Sequence, residues 1–255
     1  MEGQKVIALC AGKGGEGCSA SAGALAAALC KKGLRVLLVE LDCRGYAQGL
    51  YFGVQDRVLF TLADHEKGRR EQDVLLPVEK NEGLFLCFAP MEELSFSFLQ
   101  TFLQKQLEEG GFDRVIVDAS NLISAQALAK LASEILVVCT QNPSSLLHAQ
   151  SLSQQLFAAG AEAKLLLCRF DLSDLHSYSM GRLRVQEMID QTRLMLAGIV
   201  PEDYDLMRSC EDGRLGEYVL NKKEQVFGGI AARLQGEWSL LFSSLSNGKA
   251  LRRSL

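Results

Sequence analysis

The chain holds 255 residues, of which 48 % are hydrophobic and 23 % charged, with a formal net charge of −4, 23 Gly and only 4 Pro. That length suits one large α/β domain, the composition excludes a disordered or collagen-like chain, and the acidic balance argues against a surface devoted to nucleic acid. An aromatic share of 7 % leaves the core to Leu, Val, Ile and Ala, which suits a parallel sheet covered by helices.

In chain order, near-continuous apolar runs at residues 5–10, 35–40, 84–88, 114–118, 135–140, 164–168 and 197–200 read as strands buried on both faces. Between them, residues 19–32, 94–109, 125–132 and 146–159 carry helical periodicity, with Gly33, Gly110 and Gly160 as C-terminal stops. Repeated strand–helix–strand units predict a doubly wound, mainly parallel sheet with helices on both faces, in a single domain over 1–255. Residues 48–80 are richer in charge and read as a solvated loop-and-helix connection. From Val226 onward, Phe227, Ile230, Ala231, Leu234, Trp238, Leu241 and Leu245 recur at helical spacing as one core-facing stripe, followed by a short basic tail over 246–255. The N-terminal apolar stretch is broken at once by Gly12 and Lys13, so neither a signal peptide nor a membrane-crossing helix is expected. Eight cysteines (Cys10, Cys18, Cys30, Cys43, Cys87, Cys139, Cys168 and Cys210) form no CxxC pair and no metal-ligand spacing. All but Cys18 read as small buried hydrophobes in a reducing cytoplasm.

Directly after the first strand stands Ala11-Gly12-Lys13-Gly14-Gly15-Glu16-Gly17-Cys18-Ser19-Ala20, followed by an Ala-rich helix. Glycines let successive backbone N–H groups converge on phosphate oxygens, and the helix adds the positive end of its dipole. Against the pattern G-x-x-x-x-G-K-[ST], Gly12, Gly17 and Ser19 hold their places, and Cys18 occupies the lysine position.

The loop resembles the deviant Walker A motif, K-G-G-x-G-K-[ST], of the MinD/ParA family of P-loop ATPases. Further segments resemble the family in order: Glu40-Leu41-Asp42 its D-x-D, Val115-Ile116-Val117-Asp118 its Walker B, residues 139–145 the strand end that follows, and residues 167–170 and 198–203 the two stretches framing adenine. The last of these, continuing through Leu206-Met207-Arg208, is nearer to MinD than to ParA. The resemblance implies ATP or ADP with Mg²⁺, held by Gly12, Lys13, Gly14, Gly15, Glu16, Gly17, Cys18, Ser19 and Ala20 at the phosphates and by Arg169, Pro201, Glu202 and Asp203 at the base. It also implies Ser19, Asp42 and Asp118 around the metal, with Lys13 and Asp42 catalytic: Lys13 reaches across a nucleotide-sandwich homodimer and Asp42 orients the attacking water. Glu40 replaces the first Asp of the D-x-D and carries its carboxylate one methylene further.

A cysteine cannot supply the missing lysine's charge, and losing one preorganised donor costs roughly 3–4 kcal/mol of transition-state stabilisation. Four readings stay open: a MinD-like, nucleotide-dependent dimeric switch in cell division or intracellular positioning with weak or absent hydrolysis; a pseudo-ATPase scaffold; a ParA-like DNA-associated partitioning protein; and a redox-sensitive switch with Cys18 as a thiol in an electropositive loop. Arg182, Arg184 and Arg193 on one expected helix, with Lys222 and Lys223, make a sparse DNA surface. The expected partners are a second copy of the chain and a regulatory protein, in the cytoplasm, with weak peripheral contact of the basic tail at the inner membrane surface.

Overall fold

Runs of Val, Ile and Leu too apolar to face water on either side become the strands of one eight-stranded sheet in the computed structural model, which describes residues 5–42, 44–120, 123–172, 183–221 and 226–237. The strands are β1 (Lys5–Ala11), β2 (Val36–Glu40), β3 (Leu76–Pro77), β4 (Leu84–Phe88), β5 (Arg114–Ser120), β6 (Glu134–Thr140), β7 (Ala163–Phe170) and β8 (Met195–Pro201). They lie in the order β3-β4-β2-β5-β1-β6-β7-β8, parallel throughout except for the antiparallel β3–β4 pair at one edge. The fold is therefore the doubly wound α/β class expected, and the carboxyl ends of its parallel strands share one edge.

The helices are α1 (Cys18–Lys31), α2 (Ala47–Tyr51), α3 (Leu62–Glu66), α4 (Phe96–Glu108), α5 (Ala125–Leu131), α6 (Pro143–Ala158), α7 (Val185–Thr192), α8 (Tyr204–Glu211), α9 (Leu215–Asn221) and α10 (Val226–Leu234). Side chains alternate along each strand, so Val36 and Leu38 join one core with α1, α9 and α10, while Leu37 and Val39 join the other with α4, α5 and α6. The many alanines of α1 let it lie close on the sheet between α9 and α10, and Gly23 has no room for a Cβ, which would stand 2.7 Å from both Gln48 Oε1 and Leu215 Cδ2.

Several expectations shift. The stop of α4 is not Gly110: the left-handed residue is Gly111, with φ 71°. Helix α6 starts three residues earlier than the apolar pattern indicates, because Asn142 accepts from the Ser144 amide as an N-cap and Pro143 suits the first turn. Residues 48–80 hold α3 and the edge strand β3, whose two residues are too few for any periodicity to register. Arg184 and Arg193 flank α7 as its N-cap and C-cap and so do not share one helical face, and Arg182 lies outside the described residues. In the C-terminal stripe Phe227, Ile230, Ala231 and Leu234 are buried on α10; Trp238, Leu241, Leu245 and the tail 246–255 lie outside the described residues, as do Lys222, Lys223 and Cys43.

Candidate phosphate-binding site

Between β1 and α1 the chain must turn sharply, and glycine carries the turn. Gly15 and Gly17 adopt φ 81° and 88°, a region costly for any residue with a Cβ. Gly12 is required for a different reason: a Cβ there would lie 2.5 Å from the Cβ of His148 and 2.8 Å from its backbone carbon, on α6. Gly14 and Gly15 face open space, with nothing within 4 Å of an added Cβ. No N-cap side chain serves the start of α1, where Gly17 is the N-cap of a 14-residue helix.

Charge around this loop is paired internally. Lys13 Nζ lies 3.2 Å from Glu16 Oε1. Glu16 is buried, and its other oxygen accepts from the Thr140 amide at 2.9 Å and from the Ser145 hydroxyl. The loop is thereby tied to the end of β6 and the start of α6. Ser19 and Ala20, half-buried, continue into the first turn of α1.

Cys18 is buried beside Asp118, and burial, then the negative charge of Asp118, push its thiol well above the ordinary range. Of the two forms open to Cys18, burial favours the neutral thiol over the thiolate. The described cysteines are all free and buried, as packing residues should be.

Asp118, at the end of β5, is also buried and its carboxyl is pushed up by desolvation. It accepts from Gln48 Nε2 at 2.8 Å, from Ser120 Oγ at 3.2 Å and from the Ser19 hydroxyl. Gln48 is wholly buried, and the same Nε2 donates to the Ser19 carbonyl at 2.8 Å. Ser120 holds the left-handed φ of 43°, where the β1–β5 register shifts.

Glu40, which stands in place of the first Asp of the D-x-D, is taken up by backbone amides. Its two oxygens accept the amides of Ala47 at 2.7 Å and Gln48 at 3.0 Å, capping α2, and burial raises its carboxyl from 4.5 to about 8. Asp42 lies nearer the surface, where Arg44 clamps it with Nε and Nη2 at 2.8 and 2.7 Å and holds its carboxyl below the usual range.

Further along the same edge, past β6, a cleft of about 800 Å³ is lined by Thr140, Gln141, Arg169, Asp171, Glu202 and Tyr204 among others. Arg169 and Glu202 form an exposed ion pair at 3.3 Å, with Arg169 itself at φ 52°. Pro201 lines this cleft, whereas Asp203 is taken up in capping α8, accepting from the amides of Asp205 and Leu206 and from the Tyr218 hydroxyl at 2.6 Å. The edge thus brings residues 12–20, Asp42 and Asp118 to one end and Arg169, Pro201 and Glu202 to the other.

Residues 2–93 match the profile of a ParA family described as NUBPL iron-transfer P-loop NTPase. The putative septum site-determining protein MinD of Chlorella vulgaris is 27 % identical over 264 residues, covering 99 % of this chain and 92 % of that protein. The chain thus carries a ParA-type P-loop NTPase match in its N-terminal part and is similar to MinD proteins along its length. Two solved family structures share the fold. The Aquifex aeolicus MinC:MinD cell division protein complex aligns with a TM-score of 0.83 at 23 % identity, covering 92 % of this chain and 97 % of that one. Septum site-determining MinD from Pyrococcus horikoshii, complexed with Mg-ADP, aligns at 0.75 and 20 %, covering 91 % and 96 %.

Sequence reasoning missed Gln48 and Arg44 as parts of this edge, and it placed Thr140 and Ser145 in the segment 139–145 without their hydrogen bonds to Glu16. Only Arg44, two residues past Asp42, carries a local signal; the others reach the loop through tertiary contacts far from it in sequence.

Proposed function

We propose that this chain is a MinD-like protein that holds an adenine nucleotide on its glycine loop and signals by that binding, with little or no hydrolysis, as a dimeric switch in cell division or intracellular positioning. The observation that carries the reading is Cys18: a buried neutral thiol stands where a P-loop keeps its cation, so no charge at that position stabilises phosphoryl transfer. The open side of Gly14 and Gly15 and the uncapped start of α1 fit phosphate oxygens.

The Ser19 hydroxyl and Asp118 fit the oxygen shell of a magnesium ion, which when bound offsets phosphate charge. Asp42, clamped by Arg44, orients no water until that pair opens. Arg169, Pro201 and Glu202 suit the base end, with Asp203 supporting them by fixing the start of α8. A regulatory protein partner fits the relation to MinD, one relative of which is solved in a MinC:MinD complex. Contact of the tail 246–255 with a membrane surface belongs to the same reading.

A second reading, a scaffold that no longer takes nucleotide, draws on the Lys13–Glu16 ion pair, which leaves the loop's cation already neutralised. Calorimetric titration with Mg-ATP and Mg-ADP separates the two. Saturable binding that is lost in Gly15→Val, whose φ of 81° no β-branched residue adopts cheaply, supports the switch. No heat at millimolar nucleotide overturns it in favour of the scaffold.

A further inference from the structure

We propose that Glu16 is a built-in counter-anion that holds Lys13 in cis, so that a nucleotide's phosphates must compete with a carboxylate of the same loop for its cation. The inference rests on the nucleotide-binding reading above and concerns how that site is regulated.

Three observations carry it. First, Glu16 is 3 % exposed, whereas a glutamate in a glycine loop that faces solvent would stay hydrated. A buried carboxylate is retained only where partners satisfy it, and this one has three: the Thr140 amide, the Ser145 hydroxyl and the Lys13 ammonium at 3.2 Å. Second, those partners come from three places, namely the loop itself, the end of β6 and the first turns of α6. Glu16 is thereby anchored to the scaffold, and drawing Lys13 away means leaving an anchored carboxylate with one partner fewer. Third, within residues 12–20 Lys13 is the remaining cation, since position 18 is Cys.

The consequence is specific. With Lys13 drawn back, the loop offers phosphate its backbone amides but a cancelled charge, so affinity is weak even where the cradle is well formed. Lys13 is also unavailable to a second copy of the chain while the pair is closed. Anything that displaces Glu16, such as a shift of β6 against α6, frees the lysine. The Glu16 side chain is a positioning group in this scheme and its carboxylate touches no phosphate.

The test titrates ATP calorimetrically, with and without Mg²⁺, into the full chain, Glu16→Gln, Lys13→Ala with Glu16→Gln, and Cys18→Lys. The expected result is that Glu16→Gln tightens ATP at least tenfold and that the added Lys13→Ala abolishes the gain. A folded Glu16→Gln that binds no more tightly, or a gain that survives Lys13→Ala, overturns the proposal. Amine labelling of the wild-type chain, read by mass spectrometry, probes the ion pair independently should Glu16→Gln fail to fold. Lys13 then labels far more slowly than the exposed Lys130 in the absence of nucleotide, and equal labelling of the two overturns the pairing. Failure of every variant, Cys18→Lys included, to bind ATP refutes nucleotide binding instead and leaves the labelling to decide the ion pair.

Discussion

The two ends of the sheet's carboxyl edge are built on opposite plans. At the β1–β2–β5 end, Glu16, Glu40 and Asp118 are buried and every one of them is held by hydrogen bonds from the protein's own backbone or side chains. At the β6–β7–β8 end, Arg169, Glu202 and Tyr204 stand exposed around an open cleft. The difference teaches that Cys18, at the position where the P-loop pattern has lysine, leaves no vacancy. Burial keeps the thiol neutral, and the neighbouring acids have found partners within the fold. The glycine-loop end behaves as packed structure with an uncapped helix start, while the other end keeps a polar, solvent-facing character.

The comparison can be broken first at the glycines. Gly12→Val forces a branched side chain against His148 and should cost about 3 kcal/mol or more, whereas Gly14→Ala, facing open space, should leave the melting temperature nearly unchanged. For a chain of this size each kcal/mol moves the midpoint by roughly 2–4 °C, so a thermal melt resolves the pair easily. Equal melting of the two variants would mean that the loop is not packed on α6.

Next comes pH. The Glu40 carboxyl binds its proton more tightly in the folded chain, up to about 8, than in the unfolded chain near 4.5. Its contribution to stability is therefore fully present below about pH 4.5 and is lost as pH rises to about 8, with buried Asp118 acting in the same direction. Thermal melts between pH 5 and pH 8.5 should show falling stability, and Glu40→Gln should flatten the curve while keeping an acceptor for one amide of α2. A Glu40→Gln profile parallel to wild type contradicts this account of the buried end.

The smallest effect belongs to the surface pair. Arg44 is 71 % exposed and Asp42 28 % exposed, so Arg44→Ala should leave the denaturation midpoint nearly unchanged, which denaturant titration can check. A larger loss would show that the clamp on Asp42 is structural.

Much of this is legible in the chain because its signals are local. Continuous Val, Leu and Ile runs announce strands buried on both sides, and Gly12, Gly17 and Ser19 set out the loop within eight residues. What stays hidden depends on distant partners. Nothing adjacent to Glu16 indicates that Thr140 and Ser145 will satisfy it, and Gln48 reads as an ordinary polar residue until α2 carries it under Asp118. Glu40 is hidden for the same reason: the sequence shows only a longer carboxylate in the D-x-D, whereas the short α2, five residues long, supplies two amides that claim it. The two-residue β3 and the cap at Asn142 escape because apolar periodicity sees neither very short strands nor helix starts.

The central claim is that position 18 decides turnover, and steady-state phosphate release from Mg-ATP by the wild-type chain and by Cys18→Lys tests it most directly. The account predicts release at or near background for wild type and a rise of roughly a hundred- to thousandfold in Cys18→Lys, the effect of restoring one preorganised donor. Rapid release by the wild-type chain, unchanged or lowered by Cys18→Lys, would contradict it.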